Sequence, residues 1–385
     1  MNFAGYVRPN GTVGVRNHVL VFPTVVCSAS VAQQISAGVP GTVSVYHPHG
    51  CGHLGDDYAH MVRTIVGFCC NPNVGGVLLV GLGCEQLTTG LLAAELRERH
   101  QRVRTIDIQD VGGTTAAVSR GMELARALLR DTETDVRTQV DVSRLTLGMK
   151  CGGSDALSGL TANPATGVAA DLLVAAGGTV LITEVPEMIG AEDVLARRAA
   201  DEEVRSRIYQ IVRDMERSIL ATGVDVRGTE PSQGNIAGGL TTLEEKSLGA
   251  ILKGGSTPVQ QVVAFAEQPS KKGLVIMDGP ALDAVCVTGM LAAGAQVIIF
   301  TTGRGSPLGS AIAPVVKVAT NTAMFEHMRD DMDLDAGLMI SGSATLEDMG
   351  RKILERAIAV ASGEPTRSEC LQHHEFAIHS IGPAV

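Results

Sequence analysis

The chain has no tryptophan, and only 3% of its 385 residues are aromatic, so no core can be built around large rings. The interior must come from Val, Leu, Ile and Ala, and at 45% hydrophobic residues there is enough of them; that composition suits sheets buried on both faces. Positive charge is also scarce, with 31 Lys and Arg against 41 Asp and Glu and a formal net charge of -10. No basic stripe is available to release counterions, so neither nucleic acid nor an anionic membrane is an expected partner. No apolar run reaches membrane-spanning length and no basic-then-apolar leader opens the chain, so a cytoplasmic protein is expected. Closely spaced cysteines are missing: eight are scattered along the chain, which points to reduced thiols or metal ligands rather than disulfides. The first strand lacks a following G-x-G-x-x-G, which weighs against a nucleotide-binding dehydrogenase.

What is present is an alternation of apolar runs and helical patterns. Strands are expected within Val13–Val26 and over Val43–Tyr46, Val77–Val80 and Arg102–Ile108, separated by helices over 54–69, 88–100 and 113–130. The second half repeats the style, with strands Leu145–Met149, Thr179–Thr183, Gly273–Met277 and Val297–Thr301, helices over 164–176 and 346–361, and a long helical region over 191–221. The expectation is therefore α/β: two Rossmann-like α/β domains with mainly parallel sheets, covering residues 1–135 and 136–385, divided in the polar stretch 131–141. The 45 glycines show no fixed period and punctuate strand ends.

The stretch Lys150-Cys151-Gly152-Gly153-Ser154-Asp155 makes a poor core segment and a good site: a thiol at a strand end, two glycines that admit close backbone approach, then hydroxyl and carboxylate groups. Cys51 and Cys84 also follow strand ends, where ligands of doubly wound sheets bind. Arg304, flanked by glycines after a strand, can clamp an anion, and Arg16 with Asn17 is a second candidate. Lys246 and Glu245 follow the Gly- and Thr-rich stretch 234–242; a lysine near other cations can have a lowered pKa and act as a base. Ser154, Asn163, Thr241, Thr242 and Asn321 are candidate hydroxyl-binding groups, and Asp155 is another or the acid. His49 and His53 read as solvated loop residues, and Asp56 and Asp57 as a helix start or as support for ligand histidines. Cys27, Cys69, Cys70, Cys286 and Cys370 read as structural.

Several motifs in one order resemble the altronate and galactarate dehydratases: Gly5-Tyr6-Val7-Arg8, Gly14-Val15-Arg16-Asn17, His47-x-x-Gly50-Cys51, Gly83-Cys84-Glu85, Cys151 to Asp155, Glu184-x-Pro186-Glu187, Gly238-Gly239-Leu240-Thr241-Thr242, Glu245-Lys246-Ser247 and Gly303-Arg304-Gly305. The resemblance implies loss of water from a sugar acid, an aldonate or aldarate, to give a 2-keto-3-deoxy acid. It also implies a divalent metal, iron(II) or else manganese(II), for which Cys51, Cys84, Cys151 and His47 are the expected ligands. Altronate-type enzymes carry a small SAF-like domain before the Gly-Tyr-x-Arg segment, where only four residues stand here. A separate small SAF-like subunit is therefore expected, as is a homo-oligomer. The split arrangement also resembles the large subunit of sulfolactate sulfo-lyase, and a non-catalytic sugar-acid binding protein is the further alternative.

Overall fold

The computed structural model describes residues 1–382. Near the N-terminus, strands Thr42–Ser44, His18–Pro23, Val74–Gly81 and Val103–Asp107 form, in that order, a four-stranded parallel sheet. Its two inner strands are apolar without alternation because both faces are covered. Val19 and Val21 pack under helices Ala29–Ala37 and Thr114–Thr132, whereas Leu20 and Phe22 pack under Gly55–Cys69 and Thr89–Glu98.

The larger sheet has seven strands, all parallel, in the order Val259–Val263, Gly273–Met277, Thr179–Ile182, Thr146–Cys151, Val297–Thr302, Val315–Ala319, Leu334–Asp335. The chain completes one side of Thr146–Cys151, with Gly273–Met277 inserted between Thr179–Ile182 and the edge strand Val259–Val263, and then crosses to build the other, so the order reverses between Thr146–Cys151 and Val297–Thr302. Ligands of open α/β sheets bind beyond the carboxyl ends of the strands at such a reversal. The two sheets share one core, in which Ile65 and Phe68 of the first unit meet Met290, Ile298 and Phe300 of the second.

The α/β expectation holds, and two local readings are corrected. Region 191–221 is two helices, Glu192–Ala196 and Glu202–Leu220, because Asp201 caps the second by accepting from Val204 N at 2.9 Å. Region 234–242 is not all loop: Gln233–Ala237 is a short helix closed by a Ser232/Asn235 capping box. In addition, strand Asn2–Val7 pairs antiparallel with Arg137–Asp141, across the boundary expected near residue 135. No helix is long and apolar enough to cross a membrane among the described residues.

Arg16 and Asn17 serve the fold rather than a substrate. Arg16 holds Glu369 with two hydrogen bonds of 2.7 and 2.9 Å and gives its remaining N–H groups to the carbonyls of Val15, Val360 and Glu364. Asn17 accepts from Arg8 at 2.8 Å and donates to the Thr132 carbonyl at 3.1 Å. Replacing Arg16 by Ala should therefore lower the unfolding free energy by about 3 kcal/mol, measured by urea titration at pH 7, since it strands Glu369 and three carbonyls.

Candidate active site

Cys151 ends strand Thr146–Cys151, and the chain then turns through Gly152 and Gly153, the latter at φ +57, into Ser154 and Asp155. In the neighbouring strand's exit, Glu184 is a non-glycine residue in the left-handed region at φ +77. That costly conformation brings its fully buried carboxylate back to the end of the adjacent strand, where the Cys151 N–H donates to it at 3.3 Å. One turn later Glu187 accepts from the Cys151 thiol at 3.0 Å. Among the described residues this is the one set of three or more metal-ligand side chains with donor atoms within 4.8 Å of each other.

Lysines meet these carboxylates. Lys253 Nζ stands 3.1 Å from Cys151 Sγ, 2.9 Å from Glu184 Oε2 and 3.8 Å from Glu187 Oε2. Lys150 is paired with Glu184 and lies 2.8 Å from Asp283. Lys246 lies 3.3 Å from Glu187 and 2.7 Å from Glu230. For Lys246, burial opposes the charge, but Glu187 and Glu230 more than offset it and hold the ammonium above the ordinary lysine value. The base with lowered pKa expected at this position is instead a cation. Burial likewise opposes Glu187's charge, and Lys253 and Lys246 still hold its carboxyl below the usual range. Burial, and then Glu184 and Glu187, push the Cys151 thiol far up, so it stays protonated.

A metal does not fit this centre as built. The Lys253 ammonium already occupies the space among Cys151, Glu184 and Glu187 where a cation would sit. Of the other expected ligands, Cys51 and Cys84 are exposed and belong to no such donor group among the described residues. His47 is buried with both ring nitrogens engaged: Nε2 donates to the Pro23 carbonyl at 2.7 Å and Nδ1 accepts from His49 N–H at 3.2 Å.

Above the buried charges opens a cleft of about 250 Å³ lined by Gly152, Ser154, Glu187, Glu230, Lys246, Asp283 and Arg304, among others. It lies at the strand-order reversal. Arg304 is exposed there and has no acidic partner within ion-pair distance among the described residues, although its N–H fixes the loop by donating to the Gly153 carbonyl at 2.8 Å. Of the sequence candidates, Ser154, Lys246 and Arg304 line this cleft, and an adjoining hollow of about 300 Å³ brings Ser154 and Lys246 together with Asp155, Asn163 and Glu245.

The other candidates are engaged in hydrogen bonds outside the cleft lining. Asp155 accepts from Ser158 at 3.0 Å, Thr320 at 2.8 Å and Asn321 at 3.1 Å, which makes it a satisfied anchor; Gly303 has no side chain because a Cβ would stand 2.2 Å from the Asp155 carboxyl carbon. Asn321 also caps helix Thr322–His327. Asn163 joins the Gly249 carbonyl at 3.0 Å to the Thr301 hydroxyl at 2.6 Å. Thr242 caps helix Leu243–Ala250, and exposed Glu245 accepts from Thr241 N at 2.8 Å. Sequence reading passed over Glu184, Glu187, Lys150 and Lys253 as functional groups. The Glu184-x-x-Glu187 pair is a local signal, but the left-handed backbone at Glu184 and the break between helix Leu243–Ala250 and the turn Ile251–Gly254 that carries Lys253 have none in the residue spacing.

The pattern described as "D-galactarate/Altronate dehydratase, C-terminal" matches residues 142–384, and that described as "D-galactarate dehydratase/Altronate hydrolase, second domain" matches residues 5–133. The chain belongs to the altronate/galactarate dehydratase family. Within it, the chain is 37% identical to the altronate dehydratase of Bacillus subtilis, over 99% of this chain and 78% of that one. It is 36% identical to the galactarate dehydratase (L-threo-forming) of Escherichia coli, over 99% and 77%. Identity is 35% to the (2R)-sulfolactate sulfo-lyase subunit beta of Chromohalobacter salexigens, over 98% and 96%.

Lys253→Met leaves Glu184 and Glu187 short of a cation and should destabilise the fold at pH 7 by about 3–5 kcal/mol. The wild-type Glu187 pKa is depressed, so its contribution is present above the unfolded value and is lost as pH falls through the folded one. In the variant the carboxylates accept protons more readily than in the wild type. The gap between the two proteins, measured by denaturant titration from pH 7 to pH 4, should therefore narrow on acidification.

Proposed function

We propose that the protein is a sugar-acid dehydratase, a carbon–oxygen lyase that converts an aldonate or aldarate to a 2-keto-3-deoxy acid in the cleft above Cys151. The single observation that carries this reading is the placement of Lys246, a cation, beside Glu187, an anion, at one wall of a small cleft with the free guanidinium of Arg304 also lining it. β-Elimination of water needs those three functions: an anion clamp, a base for the hydrogen beside the carboxylate, and an acid for the departing hydroxyl.

Arg304 takes the substrate carboxylate. Glu187 is ionised and lines the cleft, so it receives the proton from the carbon next to that carboxylate. Lys246 is held protonated and gives a proton to the hydroxyl as the adjacent carbon–oxygen bond breaks. The electron pair from the broken carbon–hydrogen bond becomes the enol double bond, and the enol tautomerises to the keto acid. Proton transfer from Lys246 to the hydroxyl and from substrate to Glu187 leaves both groups neutral, and return of the proton from Glu187 to the Lys246 amine, 3.3 Å away, restores the starting state.

The sulfo-lyase reading is the second, supported by 35% identity to the sulfo-lyase subunit beta over 98% of this chain, close to the 36–37% shared with the dehydratases. That relative is named as one subunit, which supports a partner subunit here as part of the same proposal.

The test is a screen of aldonates and aldarates for keto-deoxy acid formation, with (2R)-sulfolactate and sulfite detection in parallel. Lys246→Met should reduce kcat/KM by about 100-fold or more, and Arg304→Ala should act mainly on KM. Full turnover by Lys246→Met would remove its assigned role, and sulfite release without turnover of any sugar acid would transfer the protein to the second reading.

A further inference from the structure

His49 and His53 sit in the loop after Thr42–Ser44 and point a ring nitrogen at each other: His49 Nδ1 and His53 Nε2 are 3.3 Å apart. The far nitrogen of each ring is held by a group that can only accept. His53 Nδ1 donates to the Asp57 carboxylate at 2.6 Å, and His49 Nε2 donates to the Ile378 carbonyl at 3.1 Å. Neutral imidazole has one N–H, so both protons are spent on the outside. With both rings neutral, two lone pairs are left facing one another, a gap of the size that one metal ion spans.

Two imidazole nitrogens bound to one tetrahedral divalent ion at about 2.0–2.1 Å stand about 3.3 Å apart. Carboxylate and carbonyl oxygens behind the rings are the partners that orient and strengthen histidine ligands. Asp57 is itself held: Ile381 N donates to it at 2.8 Å and the Ser380 hydroxyl at 3.2 Å, so the C-terminal segment braces both ligands.

We infer that His49 and His53 form a binding site for one divalent first-row transition ion, with Asp57 and the Ile378 carbonyl orienting the two rings. The chain supplies two ligands, since no third donor completes a cluster with them among the described residues. His53 is buried and His49 half-buried, so the remaining coordination positions are reached from the surface by water or an exogenous oxygen ligand. This inference stands apart from the dehydratase reading, because it concerns binding and needs no turnover.

The test is titration of chelator-stripped full-length protein with cobalt(II), followed by its visible absorption, and with zinc(II) by calorimetry. One ion per chain is expected. His53→Gln should weaken binding about 100-fold or more, Asp57→Asn about 10–100-fold, and Cys151→Ser not at all. His49→Gln keeps an N–H for the Ile378 carbonyl, so it tests the ligand without cutting the C-terminal brace; circular dichroism confirms folding of each variant. Retention of the ion by the His49→Gln/His53→Gln double variant, with its loss on Cys151→Ser, would overturn the inference. So would absence of uptake by the wild type together with imidazole NMR signals showing a single shared proton between the rings.

Discussion

The buried charges at the end of strand Thr146–Cys151 constrain everything around them. Lys150, Lys253, Glu184 and Cys151 are all removed from water, and an isolated charge there would cost several kcal/mol. The cost is met only by mutual contact, so none of the four can be moved independently. Glu184 shows how strongly the set is determined: its left-handed backbone costs about 1–3 kcal/mol and persists because the carboxylate satisfies two ammonium groups. Three separate segments, the exits of two strands and the turn Ile251–Gly254, are thereby locked together.

Locking those segments is also what shapes the cleft. Because Thr146–Cys151 and Val297–Thr302 flank the point where strand order reverses, their following loops diverge and leave space that neither fills. Asp155 ties the two loops without entering the chemistry, drawing Thr320 and Asn321 against the Ser154 turn. Charge falls into a gradient: Lys150 and Lys253 stay below, Glu187 and Lys246 reach the wall, and Arg304 alone is exposed. Glu187 and Lys246 at the wall are thus backed by fixed countercharges, which hold the one ionised and the other protonated.

The fold was legible in the sequence wherever burial was two-sided. Val77–Val80 was read as a strand and lies inside Val74–Gly81, while helix 54–69 was read almost to its ends at Gly55–Cys69. Arg137–Asp141 was passed over as a linker because its polar residues carry no apolar signal; its partner, Asn2–Val7, is more than 130 residues away. The site was legible in part, for a related reason. Glycine-flanked Arg304 and the Cys151 turn announce themselves locally, but the meaning of Lys253 depends on a thiol 102 positions earlier. Arg16 misled for the converse reason: a motif arginine beside a strand looks free until the distant Glu369 is folded onto it.

Burial alone does not decide the state of a lysine in this molecule. Lys317, on the neighbouring strand Val315–Ala319, is as buried as Lys150, and both ammonium positions lie near the Phe300 ring, at 5.9 and 5.7 Å. Among the described residues the Lys317 amine has no hydrogen-bond partner, and burial pushes it down to about 8, whereas Lys150, at least as deeply buried, is driven up by Glu184. The difference between the two is therefore the carboxylate, not the interior. Lys246 falls on the Lys150 side of that comparison by virtue of Glu187 and Glu230, and its proposed role is for that reason proton donor rather than base.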